Sequence, residues 1–486
     1  MKKYRLIFSA LIVAATLTIL ISSGCQSEGE EPPNAPTLIT PAFGGTIHEN
    51  TPIFDWEDFQ GATEYNFRLR YGAHWRIDTI VVESEYIRSV SQGNDNRYWP
   101  LLEGDNFWQV RAFDASGEWS DWSDLWPFTV RTIKWVFIGN GNLSEPAVGD
   151  DQTVYVSGGF TGEAGYLYAL STLGLVEWAY TLCDTGFIFN DCPPAIGADG
   201  TIFVTFTADS DYVYAFNPNG SLTWQTTLPS TPSSRGCLAI AQNGTIYAAN
   251  SGHLHALSTA GSTLWTWDNP GTGFIWGIAI GTDGTIYVGA RDRVCAINPD
   301  GSEQWTYLSG GADLTAPALG SGGSIYVTDI SGNQVVALDA NGGFLWSLGI
   351  GSGQHSDVVI GTGGTIYASG NKLYAISSSG SQQWTSDYGG FTASIASDGS
   401  ICLGGFDPAG YSMNFYSINP DGTLQKAWNL CTGGSGTSAI GTDGTIYVRV
   451  GDRAELYALY GNESLATTSW PMLYHDAKRT SRVGGP

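Results

Sequence analysis

From residue 134 onward the chain repeats a unit of about 40 residues, and no other feature restricts its fold so tightly. Tryptophans at Trp135, Trp178, Trp224, Trp265, Trp305, Trp346, Trp384 and Trp428 mark the period. Between them stand eight strand-like cues, TVYV, TIFV, TIYA, TIYV, SIYV, TIYA, SICL and TIYV, opening at Thr153, Thr201, Thr245, Thr285, Ser324, Thr365, Ser400 and Thr445. Turn cues such as TDG or QNG lead into these strands. A second strand follows (YLYALS, YVYAFN, HLHALS, KLYAIS), then a turn such as NPDG, then the tryptophan strand. Four short strands per unit at this period read as one blade of a β-propeller.

In TIYV the isoleucine and valine face one side and the tyrosine the other, so both faces are apolar. Such a strand must be covered on both faces, as it is when sheets stack side by side around a ring. The DG, NG and GG pairs supply the positive φ that two-residue hairpin turns require. Eight cues and eight tryptophans predict eight blades. KWVF precedes the first complete unit and no regular tryptophan strand follows the last, ELYALYG. Residues 134–138 are therefore expected to complete the blade begun near residue 430, closing the ring and removing an open sheet edge.

Composition agrees with an all-β chain. Only 14% of residues are charged, while there are 64 glycines and 18 tryptophans, which suits short strands and tight turns rather than helices or disorder. The formal net charge of −25 repels phosphate backbones and argues against a nucleic-acid partner.

The first residues read MKKYR, then LIFSALIVAATLTILI, then SSGC: a cationic start, an apolar run short for a membrane span, and a small-residue stretch. This is the pattern of an export signal, residues 1–24. Gly24-Cys25 resembles the lipobox of bacterial lipoproteins, which implies lipidation at Cys25 and an anchor in the outer membrane. Ser22 departs from that family's usual leucine. Residues 25–33 form an acidic, proline-containing tether.

Residues 34–131 lack the repeat. In EYNFRLRY, Tyr65, Phe67 and Leu69 alternate with Asn66, Arg68 and Arg70, and in NFWQVRAF, Trp108, Val110 and Ala112 alternate with Phe107, Gln109 and Arg111. That period of two predicts a β-sandwich sheet with one set of each strand inward and the other outward. The segment resembles bacterial fibronectin type III-like modules. Its WSDWS, Trp119–Ser123, is similar to the WSxWS signature in which tryptophan faces stack on arginines, a role open here to Arg111 and to Arg68 or Arg70.

The repeat in residues 132–466, with its A-L-S-x-x-G-x-x-x-W and P-A-I-G-x-D-G-T-I-Y-V elements, resembles pyrroloquinoline-quinone-type propellers. The tail, residues 467–486, carries SWPMLYHDAKRTSR, similar to a WPM…HD…RT segment common in them. That family implies either a quinone-dependent oxidoreductase or a non-enzymatic propeller that presents its surface to partners. No adjacent cysteine pair is present and no calcium ligand set can be placed, so a non-catalytic, cofactor-free scaffold is expected, with no metal site. Its partner would be a protein or glycan of the cell envelope, and a polysaccharide-binding accessory role is a further alternative.

Individual residues carry few chemical signals. His253 and His255 sit at alternate strand positions where other units carry apolar groups, so they are read as packing rather than as a metal pair. Cys183 and Cys192 are spaced for a loop-closing disulfide in an oxidising compartment, while Cys295 and Cys402 fall within strands. The connections between units carry Phe187, Phe189, Phe274, Trp276 and Phe391, the candidate binding face.

Overall fold

The computed structural model describes residues 35–48, 53–71, 74–87, 104–185, 192–229, 236–250, 252–271, 274–311, 313–352, 356–406, 413–428, 430, 435–450, 454–461, 463–476 and 478–482. Cys25, Phe187 and Phe189 lie outside these residues.

The N-terminal part is a two-sheet sandwich. Leu38–Thr40, Ile53–Trp56 and Glu85–Ile87 form one sheet. The other runs in the order Thr46–Ile47, Trp126–Val130, Gly104–Asp114, Ala62–Tyr71, His74–Val81. The alternation read from sequence sets the core: Tyr65, Phe67, Leu69, Trp108, Val110 and Ala112 pack with Phe54, Trp56 and Phe128, all buried.

The opposite face of the same two strands carries a cation–π ladder. The Arg68 guanidinium lies 4.2 Å from the Trp75 ring and 3.7 Å from the Trp122 ring, and Arg111 lies 4.6 Å from Trp122 and 4.5 Å from Trp119. Arg70 sits 4.8 Å over Phe107. Both tryptophans of WSDWS are thus used.

From residue 133 the described chain forms eight antiparallel sheets, each built round a run of four strands, together a β-propeller. In the second sheet the order is Ala195–Ile196, Ile202–Thr207, Asp211–Phe216, Leu222–Leu228 from the inner to the outer strand. The eighth is assembled from both ends of the repeat region: Ser435–Ile440, Ile446–Val450 and Glu455–Leu459, then Ile133–Ile138, which pairs antiparallel with Glu455–Leu459. The expected closing strand is therefore present.

Apolar contact between sheets runs the whole way round. Tyr155 and Leu167 of the first sheet share a core with Ile202 and Val204 of the second. Tyr367 of the sixth packs with Ile395 and Leu403 of the seventh, and Phe415 of the seventh with Ile440 and Val448 of the eighth. Tyr447 and Leu456 of the eighth then pack with Val148 and Val154 of the first, which closes the circle. Each fully buried Val, Leu or Ile contributes about 1.5–3 kcal/mol, so the stacking that the two-sided strands demanded is also what stabilises the ring.

The repeated tryptophan proves to be a staple between sheets. Trp178 Nε1 donates to Pro218 O on the next sheet at 2.9 Å, and Trp135, Trp224, Trp265, Trp305, Trp346 and Trp384 donate in the same way to Thr172, Thr259, Pro299, Ala340, Ser378 and Pro420. Each acceptor opens the turn between the third and fourth strands of its sheet. The glycine of that turn lies under the indole: a Cβ on Gly220 would stand 2.6 Å from the Trp178 ring.

Trp428 breaks this pattern and corrects the sequence reading. Trp384 pairs across strands with Ala375, but on the seventh sheet the corresponding pairing is Ser417 with Lys426, and Trp428 falls two residues later opposite Phe415. Trp428 is buried, packs on Phe415 at 5.6 Å, and its Nε1 has no hydrogen-bond partner among the described residues. It is a core side chain, not the eighth staple.

Candidate functional site: two faces and a sealed axis

The inner strands end at the turn that leads into each second strand, and the chain's own tail lies across those ends. The backbone N–H groups of Ile196, Ile240, Ile280, Ile360 and Ile395, one equivalent residue from each of five sheets, donate to carbonyls of Lys478, Thr480, Ser481, Trp470 and Pro471 at 2.7–3.0 Å. Inner-strand amides that would otherwise face the axis are thereby satisfied.

Arg479 extends the tail's contacts to two further sheets. Its side chain is 1% exposed, and it donates from Nε to Pro146 O of the first sheet and from Nη2 to Ser438 O of the eighth, at 3.0 and 3.3 Å. Nη1 donates to Leu473 O at 2.8 Å and stands 3.9 Å from the Glu145 carboxylate. Burial lowers the guanidinium pKa, while Glu145 opposes that shift.

Asp357, on the sixth sheet, occupies the inner-strand position that Glu145 holds on the first, three residues before the isoleucine or valine at the turn. It accepts from the Ala316 N–H of the fifth sheet at 2.9 Å and from Thr392 Oγ1 of the seventh at 3.3 Å. Burial raises its pKa to about 6, against these two hydrogen bonds.

Cys183 and Cys192 are both free thiols. Cys183 ends the outer strand of the first sheet, whereas Cys192 leads into the inner strand of the second and is buried in the core that holds Cys237. The nine-residue step between them crosses from the outside of one sheet to the inside of the next, a radial span of about three strand spacings that keeps them apart. Burial pushes the Cys192 thiol up to about 12, and such a thiol is a packing group.

His253 and His255 take separate partners. His253 Nδ1 lies 2.8 Å from Asp268 on the outer strand. His255 is fully buried, with Nε2 3.2 Å from Asn250 Oδ1 and Nδ1 2.9 Å from Thr266 Oγ1. Asn250 Nδ2 donates onward to Asp211, which also accepts from Thr207. Since the Asn250 amide nitrogen is committed to Asp211, its oxygen must receive a proton from His255 Nε2, leaving Nδ1 to accept from Thr266. Burial lowers the imidazole pKa to about 4. This ladder ties the second sheet to the third; sequence reasoning missed it because Asp211, Asn250 and His255 lie on different strands.

The opposite face of the ring carries the connections from each outer strand to the next inner strand. Phe274 is 44% exposed there. Trp276, in the strand Ile275–Ile280, is half-buried, as is Phe391, whose N–H donates to Gly404 O at 2.9 Å. The structure therefore places Phe274 as a protruding side chain and Trp276 and Phe391 at the ring's edge. Among the described residues no group of three or more His, Cys, Asp or Glu is placed to hold a metal ion, and no helix is long and apolar enough to cross a membrane.

A family model described as outer membrane protein assembly factor BamB matches the chain in three overlapping stretches, residues 102–266, 209–410 and 250–464. Among solved structures, the Dos1 propeller is similar with a TM-score of 0.52 at 11% identity, covering 68% of this chain and 96% of that one. The WD40 propeller domain of Doa1 has a TM-score of 0.45 at 11% identity, covering 68% and 96%, and a streptogramin B lyase 0.44 at 18% identity, covering 57% and 94%. No curated protein matches the chain.

Proposed function

The chain belongs to the family described as outer membrane protein assembly factor BamB, and on that premise we propose that it is a non-catalytic binding scaffold of the cell envelope. In this reading residues 132–466 are an eight-bladed propeller, residues 34–131 a fibronectin type III-like module, and a lipid on Cys25 holds both at the outer membrane. The sandwich's split into three and five strands and its arginine–tryptophan ladder support the module's assignment.

The observation that carries the scaffold reading is the tail laid across the turn end. With inner-strand amides of five sheets bonded to that tail, the face that bears Phe274 is the one proposed for a protein or glycan partner. A quinone is not part of this reading: Arg479, at the turn end, is already engaged by three carbonyls and Glu145.

Affinity capture from native membranes tests the reading, comparing the unaltered chain with one carrying Phe187→Ser, Phe274→Ser and Trp276→Ser. The scaffold face predicts loss of the captured partner with unchanged thermal unfolding. Capture at the original level by the folded triple variant removes this face from consideration.

A further inference from the structure

We propose that the N-terminal sandwich is the clasp of the ring, standing in for a turn that the eighth sheet does not have. The inference goes beyond the scaffold reading, which gives the sandwich no part in closing the ring. Seven tryptophans each cap the third-to-fourth-strand turn of the following sheet. The eighth sheet has no such turn, because its third strand, Glu455–Leu459, and its fourth, Ile133–Ile138, come from opposite ends of the repeat region. A tryptophan staple on the seventh sheet would have nothing to grip.

Lys426 holds that staple position, and the companion residues change with it. Elsewhere a tyrosine or phenylalanine, an alanine and the tryptophan line up across three strands, as Tyr367, Ala375 and Trp384 do; here the row is Cys402, Ser417 and Lys426. The Lys426 ammonium is buried, donates to the carbonyls of His48 and Tyr460, and lies 4.7 Å over the Trp428 ring. His48 belongs to the sandwich. Its imidazole stacks on Tyr460 with ring centroids 4.0 Å apart, and its Nδ1 donates to Arg131 O at 2.8 Å.

Tyr460 in turn donates its N–H to Thr132 O at 2.9 Å, extending the ladder that closes the ring. The linker between the two parts is thus held by hydrogen bonds to His48 and Tyr460, the same two residues whose carbonyls accept from the one buried ammonium. A buried cation whose acceptors come from separate segments couples them, since losing one acceptor leaves the charge under-solvated.

The test is hydrogen exchange on the full chain, reading the amides of Ile133–Ile138 and Glu455–Leu459 against those of Ile202–Thr207 and Asp211–Phe216. His48→Ala removes the stacking from an exposed position and leaves the fold intact; Lys426→Met removes the ammonium; Lys426→Arg keeps a cation. The clasp predicts exchange at the seam about tenfold faster in His48→Ala and Lys426→Met, no change in the second sheet, and near-original protection in Lys426→Arg. Unchanged seam exchange in His48→Ala, or equal acceleration in every sheet, overturns the proposal. If Lys426→Met does not fold, His48→Ala decides alone.

Discussion

The indole of Trp178 reaches across to the neighbouring sheet, where its Nε1 bonds Pro218 O and its ring covers Gly220, two residues further along the same turn. Seven such pairs recur, so the period that marks the repeat in sequence is also its means of assembly.

The staples and Trp428 should respond differently to loss of the indole N–H. Trp224→Phe removes a hydrogen bond to Thr259 O and is expected to lower stability by about 1 kcal/mol. Trp428→Phe breaks no hydrogen bond, since its Nε1 has no partner among the described residues, and its cost is instead that of a cavity left in the core, about 1–3 kcal/mol. Chemical unfolding midpoints measure both.

The turn glycines should divide by what lies above them. Gly220 has φ +83° and a Cβ there would meet the Trp178 ring at 2.6 Å, so Gly220→Ala is expected to cost about 2 kcal/mol or more. Gly162 has φ +89° with nothing within 4 Å, and Gly162→Ala should cost only the backbone term, about 1 kcal/mol. Thermal unfolding of the two variants makes the comparison.

His255 should make the protein acid-sensitive. Its folded pKa is near 4 against 6.5 in the unfolded chain, so on acidification the unfolded state takes up a proton that the native ladder refuses. Its effect on stability is absent above about pH 6.5. As the pH falls from there to about 4 the destabilisation grows, to about 3 kcal/mol. Unfolding measured between pH 7 and 4 in the parent and in His255→Gln should show a shallower decline in the variant.

Asp357 has the opposite sign. Its folded pKa near 6 exceeds the ordinary 3.8, so the unfolded carboxyl ionises first and stability falls as pH rises from about 4 to 6, remaining lower above that. Asp357→Asn retains an oxygen for Ala316 N–H and an amide for Thr392. It is expected to stabilise the protein by about 3 kcal/mol at pH 7.5 and by little at pH 4. Equal effects at the two pH values would contradict the buried-carboxyl account.

Much of the seam was open to a closer reading of the repeat. The tryptophan of each regular unit follows its turn glycine by four residues, as in Gly220 and Trp224 or Gly301 and Trp305, and that count from Gly422 lands on Lys426. Counting tryptophans alone led to Trp428. The disulfide expectation erred differently, because separation along the chain carried no information on how far a turn between sheets travels radially.

The order of strands, their two-sided apolar character, the hairpin glycines and the alternation of the sandwich strands were all determined by the sequence, because each follows from neighbours within a few residues and from a period of two or of about 40. The tertiary structure alone decided where the tail lies, that Arg479 shares its space with Glu145, that His255 bonds across to Asp211 through Asn250, and that His48 meets Lys426. These pairings join residues up to 378 positions apart. No local periodicity encodes such contacts; they arise only when the ring closes and brings its two ends together.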